Sequence, residues 1–171
     1  MKALIPVLLC LPIVATASPS DLLMLMDSLC IGTDNNPATI EKMAKARGGK
    51  PLPASVMNAD PVAAKVGGKG FRLTINGEKF AVMATNNGAC SILGQGLKAD
   101  DVKQLVAKNY PVLKPAEESS GPQTMTLWKI AEPSVHKGAF ISMNAAKDGF
   151  GADGAVSLGF LPAKLAQKYS K

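Results

Sequence analysis

The sequence predicts an α+β fold: an antiparallel sheet of about six strands, with two N-terminal helices and one inserted helix packed on it, and one disulfide. Apolar residues recur at helical spacing near the N-terminus and in one later segment, whereas short runs elsewhere alternate apolar and polar residues. Helices and strands therefore fall in separate blocks, which is typical of a sheet covered on one face by helices.

The first 17 residues have the order of a signal peptide. Met1-Lys2 is followed by an apolar run from Ala3 to Val14 and then by the small residues Ala15-Thr16-Ala17. The apolar run is shorter than the roughly 20 residues that cross a bilayer. We therefore predict residues 1–17 to be a signal peptide and residues 18–171 to be a single α+β domain, located in the periplasm or secreted, without a membrane span after cleavage.

Two helices are predicted at the start of this domain. Ser20-Asp21 caps a first helix that carries Cys30, and Asn36-Pro37 begins a second helix that ends at Gly48-Gly49. Residues 50–70 are rich in proline and glycine, so they are predicted to form an irregular surface connection.

The strands are recognised by alternation of apolar and polar residues. Asn76-Gly77 separates two such runs and has the composition of a type I′ turn, which predicts a β-hairpin. A helix over 99–109 follows the third strand, residues 114–122 are predicted to be an exposed loop, and a short helix follows Pro162. The six predicted strands cover residues 71–75, 80–84, 89–93, 124–130, 139–144 and 155–160.

The cysteine count predicts a disulfide. Cys10 is removed with the signal peptide, which leaves Cys30 and Cys90 in an oxidising compartment. The alternative is that one of them is a reactive thiol, but neither lies in a Cys-x-x-Cys motif or beside a basic cluster. A structural Cys30–Cys90 bridge is therefore predicted.

Charge and composition exclude several classes of protein. The chain has 19 Lys and Arg against 13 Asp and Glu, a net charge of +6 that becomes +5 when Lys2 is removed. Arg47 and Arg72 are its only arginines, so nucleic-acid binding is not expected, whereas an acidic protein or an envelope component would be attracted. The single histidine, His136, cannot supply a usual zinc or haem ligand set, so no metal or cofactor is expected.

Two motifs resemble functional signatures in the wrong structural context. Ser134-Val135-His136-Lys137 has Ser-x-x-Lys spacing, but a proline precedes it and a glycine follows, which favours a turn. Gly149 to Gly154 matches G-x-G-x-x-G but precedes a strand instead of a helix, so it is interpreted as a turn. Asp148, Phe150 and Asp153 in this turn are predicted to form a possible contact loop.

The order of elements resembles a known group of proteins. A first helix with a cysteine, a short Ala-rich second helix and a strand with Gly88-Ala89-Cys90-Ser91-Ile92 before an acidic-capped helix are similar to small secreted proteins of Gram-negative bacteria. These are known mainly as uncharacterised periplasmic proteins and lipoproteins. The chain lacks the lipobox of the lipoproteins, and the resemblance implies no catalytic residues.

These observations favour a non-enzymatic periplasmic or secreted binding protein. The expected binding surfaces are the sheet face and the loops at 50–70 and 145–154, and an immunity or inhibitor protein for an envelope-acting toxin or hydrolase is one form. Two alternatives stay open: a small enzyme that uses His136 with Ser134 or Lys137, and a small-molecule carrier with an apolar pocket. The oligomeric state is not predicted.

Overall fold

The strands of the computed structural model form one antiparallel sheet. The structure describes residues 17–147 and 154–169, so the first 16 residues of the predicted signal peptide lie outside it. The strands within these ranges are β1 (Lys50–Pro51), β2 (Gly68–Ile75), β3 (Glu78–Thr85), β4 (Cys90–Gly94), β5 (Ala116–Ser120), β6 (Gln123–Lys129), β7 (Phe140–Ala146) and β8 (Val156–Leu161).

The sheet consists of two antiparallel halves that meet at its centre. Its strand order is β1-β2-β3-β4-β8-β7-β6-β5, so strands that are adjacent in sequence pair within each half and β4 pairs with β8 between the halves. The turn between β2 and β3 is Asn76-Gly77, whose φ angles of 53° and 84° suit a type I′ hairpin. The predicted hairpin is therefore confirmed.

Six α-helices accompany the sheet in the described ranges. The first continues as a π-helical turn over Met26–Cys30 and a 3-10 turn over Ile31–Thr33. Asn36 caps the second helix as predicted, because its Oδ1 accepts hydrogen bonds of 3.0 Å from the backbone N–H groups of Ala38 and Thr39. The helices are α1 (Pro19–Leu25), α2 (Pro37–Ala46), α3 (Ala54–Ala59), α4 (Pro61–Val66), α5 (Ala99–Asn109) and α6 (Ala163–Tyr169).

The predicted fold class is confirmed, with eight strands instead of about six. Each of the six predicted strands is present, but β5 lies in the segment 114–122 that was predicted to be a loop. β5 is an edge strand paired only with β6, and its side chains Glu117, Glu118 and Ser119 are exposed. Because an edge strand of this kind buries no apolar face, its sequence shows no alternation.

The prediction of an irregular connection over residues 50–70 is wrong. This segment contains β1, the two short helices α3 and α4, and the first residues of β2. Pro61 occupies the first position of α4, and the carboxylate of Asp60 caps it by accepting from Val62 N at 3.0 Å and Ala63 N at 2.7 Å. Pro53 and Pro61 therefore stand at helix starts instead of interrupting helices, and Pro51 lies in β1.

The core lies between one face of the sheet, here called the inner face, and a layer formed by α1, its π-helical turn, α2 and α5. Alternate residues of the central strands point into this layer and are buried there. The largest fully buried side chains include Leu22, Leu25, Met26, Leu29, Ile40, Leu73, Phe80, Ile92, Ile141, Met143 and Leu158.

The predicted disulfide joins the helical layer to the centre of the sheet. Cys30 ends the π-helical turn, Cys90 begins β4, and the two are bonded across a sequence separation of 60 residues. Both side chains are buried within the core. The bridge therefore fixes the N-terminal helix to a strand that pairs with both halves of the sheet.

Replacement of both cysteines by alanine should lower the free energy of unfolding by about 4 kcal/mol, because the unfolded chain would regain the entropy of a loop of about 60 residues. Urea denaturation of the wild type and of the Cys30→Ala/Cys90→Ala variant measures the difference. A denaturation midpoint equal to that of the wild type would contradict this role of the bridge.

A surface ion pair connects α2 to β2. The carboxylate of Glu41 accepts a hydrogen bond from Lys45, with 2.8 Å between Nζ and Oε1, and another from Lys69 on β2. These hydrogen bonds, that of Lys45 first, lower the pKa of Glu41 to about 2 from its ordinary 4.5.

The pair should make a small, pH-dependent contribution to stability. Because the folded pKa is lower than the unfolded one, this contribution is present above pH 4.5 and is lost as the pH falls towards 2. Thermal midpoints of the wild type and of Glu41→Gln should differ at pH 6 and converge near pH 2. Glu118→Gln, at an exposed carboxylate outside the ion pairs of the described residues, controls for the lost charge.

Candidate functional site

The face of the sheet opposite the helical layer, here called the outer face, is only partly covered. Its side chains alternate with those of the inner face and are half-buried or exposed. The described helices that contact it, α3 and α4, contact β2 and β3. The central residues of this face are small, polar or aliphatic: Ala81, Met83, Ser91, Leu93, Met125, Leu127, Ser142, Asn144, Ser157 and Gly159.

Segment 52–66, which contains α3 and α4, lies over one side of the outer face. It approaches closely at Gly70 of β2, where an added Cβ would lie 2.5 Å from Met57 Sδ and 2.7 Å from Leu52 Cδ1. A larger residue at this position would therefore have to displace the ends of the Met57 and Leu52 side chains. Within this segment α3 contacts β2 and α4 contacts β3, so the segment lies chiefly over that side of the face.

A cavity of about 330 Å³, here called the basic pocket, lies where this segment meets the open part of the face. Leu52 and Val56 form one wall, Leu93 of β4 forms the other, and Arg72 and Lys79 of β2 and β3 lie at its rim. Val56 and Leu93 are 45% and 37% exposed, which is high for aliphatic side chains. The pocket thus presents cations beside accessible apolar surface.

The cationic groups at the basic pocket have no counter-ion among the described residues. Lys50 of β1 is the register partner of Arg72, so both project from the outer face beside Lys79. No described carboxylate lies within 4.0 Å of any of the three cationic groups. Glu78, the sequence neighbour of Lys79, instead accepts a hydrogen bond of 2.6 Å from the backbone nitrogen of Ser18. This end of the outer face is consequently positive.

A second cavity, of about 220 Å³, lies at the centre of the outer face. Ser91, Ser142 and Gly159 form a row across three strands at its base. A Cβ on Gly159 would lie 2.7 Å from Ser142 Oγ, so a larger residue at position 159 would fill part of this cavity. The volume is below the roughly 300 Å³ at which small-molecule sites begin, which disfavours the carrier hypothesis at this cavity.

Two of the three side chains in the enzyme hypothesis have a local hydrogen-bond or ion-pair partner. Ser134 Oγ accepts a hydrogen bond of 3.1 Å from the backbone nitrogen of His136, and the imidazole packs edge-on against Phe160 at 5.5 Å between ring centroids. Lys137 forms an ion pair with Glu132. The serine and lysine thus have local structural partners, and the imidazole has an aromatic one.

Asp27, whose carboxylate interacts electrostatically with His136, also has a hydrogen-bond partner. Tyr110 donates a hydrogen bond to Asp27 Oδ1. Burial raises the pKa of Asp27, while the charge of His136 opposes this shift. Among the described residues no three His, Cys, Asp or Glu side chains form a group that could hold a metal ion, and no helix there is long and apolar enough to cross a membrane.

The predicted contact loop lies outside the described residues, since Asp148, Phe150 and Asp153 fall within 148–153. The predicted surface at 50–70, by contrast, supplies one wall of the basic pocket. Sequence reasoning missed Arg72, Lys79 and Leu93 as site residues. The available signal was alternation: Arg72 and Leu93 lie at out-of-core positions of predicted strands, and Lys79 directly precedes Phe80, a core position.

Asn35 lines a further cavity, of about 430 Å³, at the end of the sheet near the disulfide. Its side chain is 1% exposed, and its Nδ2 donates to the carbonyl oxygens of Gly88 at 2.7 Å and Phe160 at 2.9 Å. Its buried Oδ1 has no donor among the described residues. The amide therefore serves to connect the segment after the first helix to two sheet positions.

Comparisons with protein-family models, with curated proteins and with solved structures find no match to this chain. The site is therefore interpreted from its own geometry. Of the surfaces in the described part of the chain, the basic pocket combines unpaired positive charge, exposed aliphatic side chains and rigid strands.

The amide of Asn35 should be important for stability. Asn35→Gly keeps a residue suited to the φ of 55° but leaves a buried carbonyl group, that of Phe160, and a partly buried one, that of Gly88, without their donor. The free energy of unfolding should therefore fall by about 3 kcal/mol. Asp34→Gly is the matched control, because Asp34 has a φ of 50° and an exposed side chain, and its effect should stay within about 1 kcal/mol. Equal denaturation curves for the two variants would refute this assignment.

Proposed function

We propose that this protein is a non-enzymatic extracytoplasmic binding protein that holds an acidic protein partner against the outer face of its sheet. An immunity or inhibitor protein for an envelope-acting toxin or hydrolase would work in this way. The observation that carries the proposal is the basic pocket, in which Arg72 and Lys79 have no described counter-ion and lie beside the exposed side chains of Val56 and Leu93.

The chemistry of the outer face suits a protein interface. Binding surfaces combine an apolar centre with polar and charged residues at the rim, and arginine is enriched among the residues that dominate binding energy. The formal charge of the chain and the cluster at the pocket would steer an acidic partner towards this end of the sheet. Paired strands hold Arg72, Lys79 and Leu93, so little backbone entropy is lost on binding.

Three observations support a periplasmic or secreted location. The disulfide is of the kind that persists in oxidising compartments, and the N-terminal sequence has the order of a signal peptide. The backbone nitrogen of Ser18 also lies 2.6 Å from Glu78 Oε2. Cleavage after Ala17 would turn this nitrogen into an α-ammonium group and the contact into an ion pair. The resemblance to small secreted proteins of Gram-negative bacteria agrees with this proposal.

Intact mass spectrometry of protein isolated from the periplasm tests the proposed location. The expected mass lacks residues 1–17 and carries no lipid, and alkylation should label two thiols only after unfolding and reduction because Cys30 and Cys90 are buried. Retention of residues 1–17 would refute export with cleavage, and a thiol that reacts without reductant would revive the alternative of a reactive cysteine.

A charge placed on the outer face should abolish binding of the partner. Leu93→Glu inserts a carboxylate between the basic pocket and the centre of the face, and the affinity for a purified acidic partner should fall at least about thirtyfold, as at an interface hot spot. Met24→Glu is the matched control, since Met24 is an exposed apolar residue of α1 in the helical layer.

The partner is to be captured from envelope extract on immobilised wild-type protein, identified, purified and titrated by calorimetry against both variants. Retention of full affinity by Leu93→Glu, or equal losses for Leu93→Glu and Met24→Glu, would place the interface elsewhere. Failure of any envelope protein to bind the wild type would count against the whole proposal.

A further inference from the structure

We propose that the basic pocket binds an extended segment of the partner in which a carboxylate and an aliphatic side chain are separated by one residue. This inference rests on the proposed function, because it names the chemistry by which the partner is anchored. The pocket has space for one or two side chains, since its 330 Å³ lies at the lower end of the range for ligand sites.

The sheet register places charge and apolar surface in one row. Arg72 of β2 is opposite Ala81 of β3, and Ala81 is opposite Leu93 of β4. Neighbouring strands are about 4.8 Å apart, so the Cα atoms of Arg72 and Leu93 are separated by roughly 10 Å. The small side chain of Ala81 lies between them and leaves space for a bound group above it.

An extended peptide could span this distance because the Arg72 and Lys79 side chains are long and flexible. Side chains at positions i and i+2 of a β-strand lie on the same side, about 7 Å apart. A carboxylate at position i would reach the flexible Arg72 and Lys79 side chains, while an aliphatic side chain at position i+2 would reach Leu93 and Val56. Both groups would be satisfied without movement of the sheet.

The partner's carboxylate and its aliphatic side chain would bind next to each other, and each would strengthen the contact made by the other. The apolar walls at Leu52, Val56 and Leu93 exclude water when an aliphatic side chain fills the pocket, and an ion pair is stronger where water is excluded. Lys50 adds positive charge from the adjoining strand. A lone carboxylate or a lone aliphatic group would use only half of this surface.

Other polyanions fit less well. Arg72 is the one guanidinium at the pocket, and the aromatic side chain there, Phe80, is 2% exposed. The pocket therefore offers no exposed aromatic surface on which a nucleobase could stack, and a phosphate group would contact the cations but not the aliphatic walls. An acidic, aliphatic peptide is the occupant that uses both the cations and the exposed apolar walls.

Peptide titration of the mature protein tests the inference. The probe is an acetylated, amidated pentapeptide with the core Glu-Ser-Leu, and the matched peptide has the core Gln-Ser-Leu. Chemical shifts of the ¹⁵N-labelled protein should change saturably at Val56, Arg72, Lys79 and Leu93. The Glu peptide should bind about tenfold more tightly than the Gln peptide, as expected for hydrogen bonds between charged groups, and added NaCl should reduce this difference.

Three variants assign the contacts. Arg72→Gln should reduce the preference for the Glu peptide and leave the affinity for the Gln peptide unchanged, whereas Leu93→Ala should weaken both. Lys108→Gln, at an exposed lysine of α5, should change neither. Equal affinity of the two peptides, or shift changes centred on another surface, would overturn the inference. Tighter binding of dodecanoate or of phosphatidylglycerol vesicles at the same residues would also overturn it and assign the site to a lipid.

The affinity of the purified partner for two variants distinguishes failure of this inference from failure of the proposed function. Loss of partner binding in Leu93→Glu with full affinity in Arg72→Gln would retain the outer face as the interface and reject the carboxylate anchor. Full affinity of the partner for Leu93→Glu would reject the proposed function itself, regardless of the peptide affinities.

Discussion

Burial of the inner face of the sheet under a helical layer that is covalently tied to its centre is the constraint on which the structure depends. The Cys30–Cys90 bridge joins the end of the first helix to β4, and β4 pairs with β3 on one side and β8 on the other. A slip of one residue in any central strand would turn its buried side chains outward. The helical layer therefore fixes the register of both halves of the sheet.

The same constraint creates the outer face. Because side chains alternate along each strand, burial of Phe80, Val82 and Ile92 places Ala81 and Leu93 on the opposite side. The inner face needs large apolar residues to fill the core, whereas the outer face is free to carry small residues, serines and cations. Segment 52–66 then converts one end of this surface into a pocket by resting on Gly70.

The distribution of acidic side chains leaves that pocket positive. Glu41 pairs with Lys45 and Lys69, and Glu78 accepts from the backbone nitrogen of Ser18. Glu117 on the far edge strand is 2.7 Å from Lys103, whose hydrogen bond and charge lower the pKa of that carboxyl. These carboxylates thus interact with donors away from the basic pocket. The positive charge at the pocket is therefore not neutralised by them.

Local sequence determined four helices (α1, α2, α5 and α6), the six apolar strands and the Asn76-Gly77 turn, because each depends on periodicity or turn chemistry over a short stretch. It also determined the Cys30–Cys90 pair, through the cysteine count. β5 escaped prediction because an exposed edge strand needs no apolar pattern, and α3 and α4 because proline begins helices as well as ending them. The basic pocket was decided only by tertiary structure. Val56, Arg72 and Leu93 come from three separate elements, and strand pairing together with the packing of segment 52–66 on Gly70 brings them together.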